Sequence, residues 1–152
     1  MTTINQIESF LAAKKMAIAG VSRDEKKFGY LVFRNLAEKG FEVCPVNPNA
    51  DEINNTKCYH SVKEIPDSYD RLLVVTPEKQ TLEVVKEAIE KGIQHIWIQN
   101  KSENKEVLEY IKDKEVDIIF KKCVYMFADP VDGGHKFHRA IVKLFGGYPK
   151  RK

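Results

Sequence analysis

Apolar and polar positions along this chain follow two different rhythms, and the exchange between them outlines the architecture. Short, nearly continuous apolar runs of strand length recur at Met16 to Val21, Phe41 to Val46, Arg71 to Val75, His95 to Ile98 and Val116 to Phe120. Apolarity on both sides of such a run suits a strand covered on both faces. Pro45, inside the second run, has no N–H for a ladder and argues against a sheet-interior position there. The segments between the runs carry helical spacing instead. Phe28 to Lys39 leads into Gly40 and Glu78 to Lys91 into Gly92, each glycine standing where a left-handed helix end is wanted. In the second segment Leu82, Val85 and Ile89 predict a buried stripe, with Glu83, Lys86, Glu87 and Glu90 on the solvated side.

Three further helices are expected. Ile4 to Lys14 is amphipathic and precedes the first run, and Ser102 is placed to open a helix that turns Val107, Leu108 and Ile111 inward. A last helix is predicted from near Gly134 to Gly146-Gly147, with Phe137, Ile141, Leu144 and Phe145 facing the core. Alternation of this kind predicts an α/β fold, a doubly wound and mostly parallel five-stranded sheet with helices on both faces. The stretch 47–66 interrupts the alternation. Pro48, Asn49, Asp51, Asn54, Asn55 and Pro66 read as turns, with one short extended piece at Cys58-Tyr59 and a short helix near Val62 to Ile65. Long connections in compact domains are often functional, so this one is a candidate to close over a ligand.

Composition narrows the class without changing this picture. A chain of 152 residues is expected to fold as one domain, residues 1–152. Its net charge of +3 comes from interspersed acids and bases, which gives no reason to expect a nucleic-acid partner. Only Lys150-Arg151-Lys152 is a basic cluster. Cys44, Cys58 and Cys123 form neither an even set nor a C-x-x-C pair, so free thiols in a reducing cytoplasm are expected rather than a disulfide framework or a zinc knuckle. No charged-then-apolar leader opens the chain, and no apolar run approaches the roughly 20 residues that span a bilayer. A cytoplasmic protein with no membrane partner follows as the expectation.

In a doubly wound sheet, ligands bind beyond the carboxyl ends of the strands where strand order reverses. That rule selects the loops Gly20 to Gly29, Val46 to Asn49 and Val75-Thr76-Pro77. In the first, Gly20 allows close backbone approach, Ser22 offers a hydroxyl, Arg23, Lys26 and Lys27 offer cations, and Gly29 sits where a helix opens. A helix start presents unpaired amides and a partial positive charge, which together suit a diphosphate. The bland alternative is a solvated turn whose bases Asp24 and Glu25 neutralise. A nicotinamide-dependent oxidoreductase, or another nucleotide-binding enzyme, is the alternative function. It would need G-x-G-x-x-G and an Asp or Glu near the end of the second strand to hold a ribose diol. Neither is present, and Asn47 offers hydrogen bonds without charge.

Ile18-Ala19-Gly20-Val21-Ser22-Arg23 with Lys27 and Gly29, Gly40-Phe41-Glu42-Val43 into Pro45-Val46-Asn47-Pro48, Asp70 before Leu72 to Val75, and His95-Ile96-Trp97-Ile98-Gln99 together resemble the small stand-alone CoA-binding domain proteins. The resemblance spans about Lys15 to Cys123 and extends to the CoA-binding domain of the succinyl-CoA synthetase alpha subunit. It implies a Rossmann-like sheet with coenzyme A lying across the strand ends. The phosphates would fall at Gly20, Val21, Ser22, Arg23 and Lys27, beside Gly29. The nucleotide end would fall near Asn47 and Pro48, with further contacts at Val75, Thr76 and Pro77. It implies non-catalytic binding of coenzyme A or an acyl-CoA, since a phosphohistidine region and a partner-binding domain have no counterpart in a chain this short. The segment Tyr125 to Gly134 departs from the family pattern. A homodimer is compatible with such a domain.

Two remaining candidates weigh less. His135 and His138 lie three apart, but without a sequence-evident third and fourth ligand they read as helix-surface residues, and no metal site is expected. Cys123 follows Lys121 and Lys122, cations that would lower a thiol pKa and permit a mixed disulfide with coenzyme A, although a buried strand-end cysteine is the usual case. No catalytic set is expected.

Overall fold

The computed structural model describes residues 2–130, Arg139 and residues 148–150. The last helix expected from Gly134, together with His135 and His138, lies outside the described residues. Helix α1 (Ile4–Ala12) leads to strand β1 (Lys15–Ala19), helix α2 (Phe28–Glu38) and strand β2 (Glu42–Val46). An excursion follows, holding β3 (Glu52–Ile53), β4 (Thr56–Lys57) and a 3-10 turn at Val62–Glu64. The chain then alternates through β5 (Arg71–Val74), α3 (Glu78–Lys91), β6 (His95–Gln99), α4 (Lys105–Ile111), β7 (Asp117–Lys122) and a 3-10 turn at Val124–Met126.

The main sheet has five strands in the order β2-β1-β5-β6-β7, and every pairing in it is parallel. The chain therefore steps outward from β1 to β2 and then crosses back to β5 on the far side of β1. That reversal places the switch point, and the crevice it creates, between the carboxyl ends of β1 and β5.

Side chains alternate between two cores along each strand. On one face Ile7 and Phe10 of α1 and Phe33 and Leu36 of α2 pack on Met16, Ile18, Leu73 and Trp97. On the other, Val85 and Ala88 of α3 and Val107 and Ile111 of α4 cover Ala17, Ala19, Leu72, Val74, Ile96 and Ile98. Trp97 is fully buried, meets Phe10 edge-on at 5.5 Å and donates its indole N–H to the Lys122 carbonyl at 3.0 Å.

Four details depart from the sequence expectations or complete them. The buried positions of α3 are Thr81, Val85 and Ala88, with Leu82 and Ile89 only partly buried. A hydroxyl pair between Thr81 and Thr76 at 2.8 Å satisfies the polar group that this rotation buries. Helix α4 is capped by Asn104, whose Oδ1 accepts the Val107 N–H at 2.9 Å, and not by Ser102. The chain is still turning at Ser102, whose N–H closes on the Gln99 carbonyl at 2.9 Å. Pro45 is accommodated because β2 is an edge strand. Tyr59 then brackets that edge, donating to the Pro45 carbonyl at 3.0 Å and accepting from the Asn47 N–H at 2.9 Å. Finally, β3 and β4 form a hairpin turned by Asn54 and Asn55, both left-handed (φ 51° and 58°) as a two-residue loop requires. Among the described residues no helix is long and apolar enough to cross a membrane.

Candidate functional site

Two glycines draw the switch point together. Gly20 ends β1 with φ +96°, and a Cβ there would lie 2.8 Å from the Thr76 amide nitrogen. A Cβ on Gly29 would lie 2.1 Å from the Gly20 carbonyl oxygen. Only side chains of hydrogen let the start of α2 and the end of β5 sit this close to the β1 loop.

The loop between them folds on itself in a way that leaves its cations without an acidic partner among the described residues. The Asp24 carboxylate accepts the Lys26 N–H at 2.9 Å, the Asp24 N–H donates to Ser22 Oγ at 3.0 Å, and Glu25 accepts the Tyr30 hydroxyl at 3.3 Å. The acids that were candidates to neutralise the turn are thus engaged with neutral groups. Lys27 is the N-cap position of α2 and supplies no side-chain cap, and Pro77 at the start of α3 supplies none either. By contrast α1 carries a capping box from Thr3 and Gln6, and α4 its Asn104 cap. Both uncapped helices open at the switch point, so their first amides and the positive ends of their dipoles are available to an anion.

A cleft of about 980 Å³ lies over this point. It gathers Gly20, Val21, Ser22, Lys27 and Gly29, then Asn47 and Pro48, then Val75, Thr76 and Pro77 into one wall system. Arg23 does not line it and is exposed. Asn47 is held rather than free: its amide donates to the Val21 carbonyl at 2.7 Å and its Oδ1 accepts the Asn49 N–H at 2.8 Å, locking the β2 loop against the β1 loop. The cleft also takes in residues that sequence reasoning did not place in it, among them Cys123, which the sequence offered separately as a thiol able to pair with coenzyme A. Phe28 is 44% exposed at the mouth and meets Tyr125 edge-on at 5.8 Å. His60, paired with Asp51 at 2.8 Å, comes from the excursion after β2. Glu87 of α3, accepting the Val62 N–H at 3.2 Å, closes the floor beneath the 3-10 turn. Gln99, Asn100, Lys101 and Ser102 enter from the end of β6, and Cys123 from the end of β7. The strand-end rule applied to β6 and β7 was the available signal for these last five residues.

The three cysteines differ. Burial pushes the Cys44 thiol up to about 12 and also raises Cys58, so neither supplies a thiolate near neutrality. Cys123 is half-buried and free, on the cleft wall. Among the described residues no group of three or more His, Cys, Asp or Glu side chains is placed to hold a metal ion.

A doubly wound parallel sheet, a glycine-tightened loop after the first strand and a cleft across the strand ends define a Rossmann-like ligand-binding domain. Comparison with known proteins narrows the class: the chain matches the family described as CoA binding domain over residues 14–129, and it belongs to that family. It is 36% identical over 129 residues to the alpha subunit of the ADP-forming acetate–CoA ligase II of Pyrococcus furiosus, an alignment covering 78% of this chain and 28% of that protein. The chain thus spans a little over a quarter of that relative. Among solved structures, a conserved hypothetical protein from Pyrococcus furiosus is similar with a TM-score of 0.70 and 41% identity over 72% of this chain and 95% of that one. A hypothetical protein from Pyrococcus horikoshii matches with a TM-score of 0.77 and 31% identity, covering 87% of this chain and 94% of its own.

Proposed function

We propose that this protein binds coenzyme A or an acyl-CoA across the strand ends and performs no chemistry on it. The observation that carries this is the reach of the cleft, which takes in residues from Asn47 after β2 to Cys123 after β7 and has the uncapped start of α2 beside β1, one strand from its β2 end. Five neighbouring strand ends span roughly 19 Å at the usual strand spacing, a length suited to an extended ligand. A cleft of about 980 Å³ is also at the large end of small-molecule sites, which run from about 300 to 1,000 Å³. The diphosphate would sit on Ser22, Lys27 and the first amides of α2, against the close backbone at Gly20, Val21 and Gly29. The nucleoside would lie toward Asn47 and Pro48, and the pantetheine arm would cross Val75, Thr76 and Pro77. A nicotinamide dinucleotide fits less well, because the β2 end carries no carboxylate for a ribose diol and the Asn47 amide is already engaged.

Isothermal calorimetry with CoA, dephospho-CoA, NAD and NADP tests this directly. CoA is expected to bind most tightly, and Lys27→Ala to weaken it about fivefold to tenfold by removing a charge-assisted contact. No heat from CoA at millimolar concentration, or tighter binding of NAD, overturns the proposal.

A further inference from the structure

The long connection after β2, a candidate from its length to close over a ligand, brings one titratable side chain to the cleft. Tyr59 pairs with Val46 in the manner of a parallel strand, so this segment runs beside β2 and His60 follows at the same end as Asn47. His60 lines the cleft together with Asn49, Ser61 and Val62. Among the described residues lining this β2 end, it is the one side chain able to carry a positive charge. The charged groups of the neighbouring segments have partners of their own. Glu64 accepts the His60 main-chain N–H at 3.2 Å and Glu87 the Val62 N–H at 3.2 Å, while Lys63 pairs with Glu90 at 2.9 Å and Lys57 stands 4.8 Å over the Tyr59 ring. The His60 ring is half-exposed, and its Nε2 meets Asp51 Oδ1 at 2.8 Å. An ionised carboxylate only accepts, so Nε2 carries a proton, and Nδ1 has no hydrogen-bond partner among the described residues.

Coenzyme A carries phosphate in two places. Its diphosphate falls at the start of α2, but the monoester on the 3′-oxygen of its ribose, which dephospho-CoA lacks, needs donors further along the β2 side. Helix α2 joins β1 to β2, and the segment holding His60 lies one strand spacing beyond β2, about 10 Å from the end of β1. One ribose beyond the diphosphate, toward Asn47 and Pro48, the 3′-phosphate reaches that outer rim. Asn47 is already tied to Val21 and Asn49, and Pro48 has no N–H to give. A neutral His60 whose Nε2–H is directed to Asp51 meets a phosphate with only a lone pair at Nδ1. With a proton from solvent on Nδ1, the ring becomes a charge-assisted donor while its other nitrogen stays on Asp51.

We infer that His60, held by Asp51, recognises the 3′-phosphate of coenzyme A and takes up a proton from solvent as it does so. This rests on the CoA reading above. The test is calorimetry of CoA and dephospho-CoA at about pH 7.5, on the wild type and His60→Gln, in buffers of different ionisation enthalpy so that the protons exchanged on binding are counted. At that pH a phosphate monoester is mostly a dianion, so an added proton goes to the protein. Glutamine keeps a neutral N–H donor for Asp51 and takes no proton, and the position is half-exposed, so the variant is expected to fold as the wild type does. The wild type is expected to bind CoA about threefold more tightly than dephospho-CoA, a margin held down by the exposure of the ring, and to take up a fraction of a proton more with CoA. His60→Gln should erase both the margin and the extra proton while leaving dephospho-CoA affinity unchanged. Equal binding of the two nucleotides by the wild type overturns the inference, as does a preference that survives in His60→Gln. A preference with no extra proton taken up also overturns it, because the phosphate is then met by a group that does not titrate. Binding of neither nucleotide instead removes the parent proposal, and this one with it.

Discussion

Replacing Gly29 by alanine separates helix propensity from the architecture of the cleft. In an open helix the change would stabilise by about 0.5–1 kcal/mol, because glycine gives up more conformational freedom on folding. Here the new Cβ would lie 2.1 Å from the Gly20 carbonyl oxygen, where ordinary contact begins at 3.4 Å. That oxygen belongs to backbone tied on either side, since the Gly20 N–H donates to Val46 and the Val75 N–H to Ala19. Neither the loop nor β5 can give way, so the start of α2 must move outward by roughly 1 Å, an overpacking that costs about 1–3 kcal/mol. The clash outweighs the propensity gain. At a net loss of about 1 kcal/mol a domain of this size should melt roughly 2–4 °C lower. The same displacement withdraws the first amides of α2 from the phosphates, and CoA affinity measured by calorimetry well below the melting temperature should fall about tenfold. Gly40→Ala is the control: its added Cβ meets nothing within 4 Å, so it carries only the strain of φ +83° and should leave CoA binding intact. A Gly29→Ala protein that melts at or above the wild type, with unchanged CoA affinity, would refute the reasoning.

Arg23→Ala should reduce CoA affinity far less than Lys27→Ala, since Lys27 lines the cleft and Arg23 does not; equal losses in calorimetry would contradict this. Under a maleimide reagent at neutral pH, Cys123 should label in the native protein while Cys44 and Cys58, each 4% exposed, label only on unfolding, and saturating CoA should slow Cys123. Stability should decline in alkali. Burial raises the Cys44 thiol from its ordinary 9.0 to about 12, so the folded state keeps a proton that the unfolded chain loses. The stabilisation is complete below pH 9 and is lost as pH rises toward 12, and urea titrations of Cys44→Ala should show a shallower fall over that window. Trp97→Phe should cost about 1–3 kcal/mol, because the smaller ring leaves a void in the fully buried core and the indole bond to the Lys122 carbonyl is lost, although that carbonyl keeps the Asn100 N–H, and the change should appear as a lower urea midpoint at unchanged slope.

The strands were legible because a strand covered on both faces must be apolar at successive positions, and Met16 to Ala19 or Ile96 to Ile98 are. The Asn54-Asn55 turn was legible as a turn, but the hairpin it closes has strands of two residues, too short for any periodicity. The burial of Thr81 could not be read locally, since its hydroxyl is satisfied by Thr76 from another element. At the cleft, the three loops at the ends of β1, β2 and β5 were accessible from glycines, cations and the strand-end rule. Arg23 was included there because its charge suited phosphate, and only the turn that points it outward shows that it stands apart.

By itself, then, the sequence determined the alternation of strands and helices, their two-sided cores and the loop that opens α2, because hydrophobic period and glycine placement are local properties of the chain. The tertiary structure alone decided the strand order, and with it which loops share a cleft. Crossing from β2 back to β5 set the β1 and β5 ends side by side, and ranging β6 and β7 beyond them carried Lys101, Ser102 and Cys123 to the same wall. Those residues lie about 80 to 100 positions from Gly20 in the chain, and only the backbone pairing of parallel strands brings them within reach of one ligand.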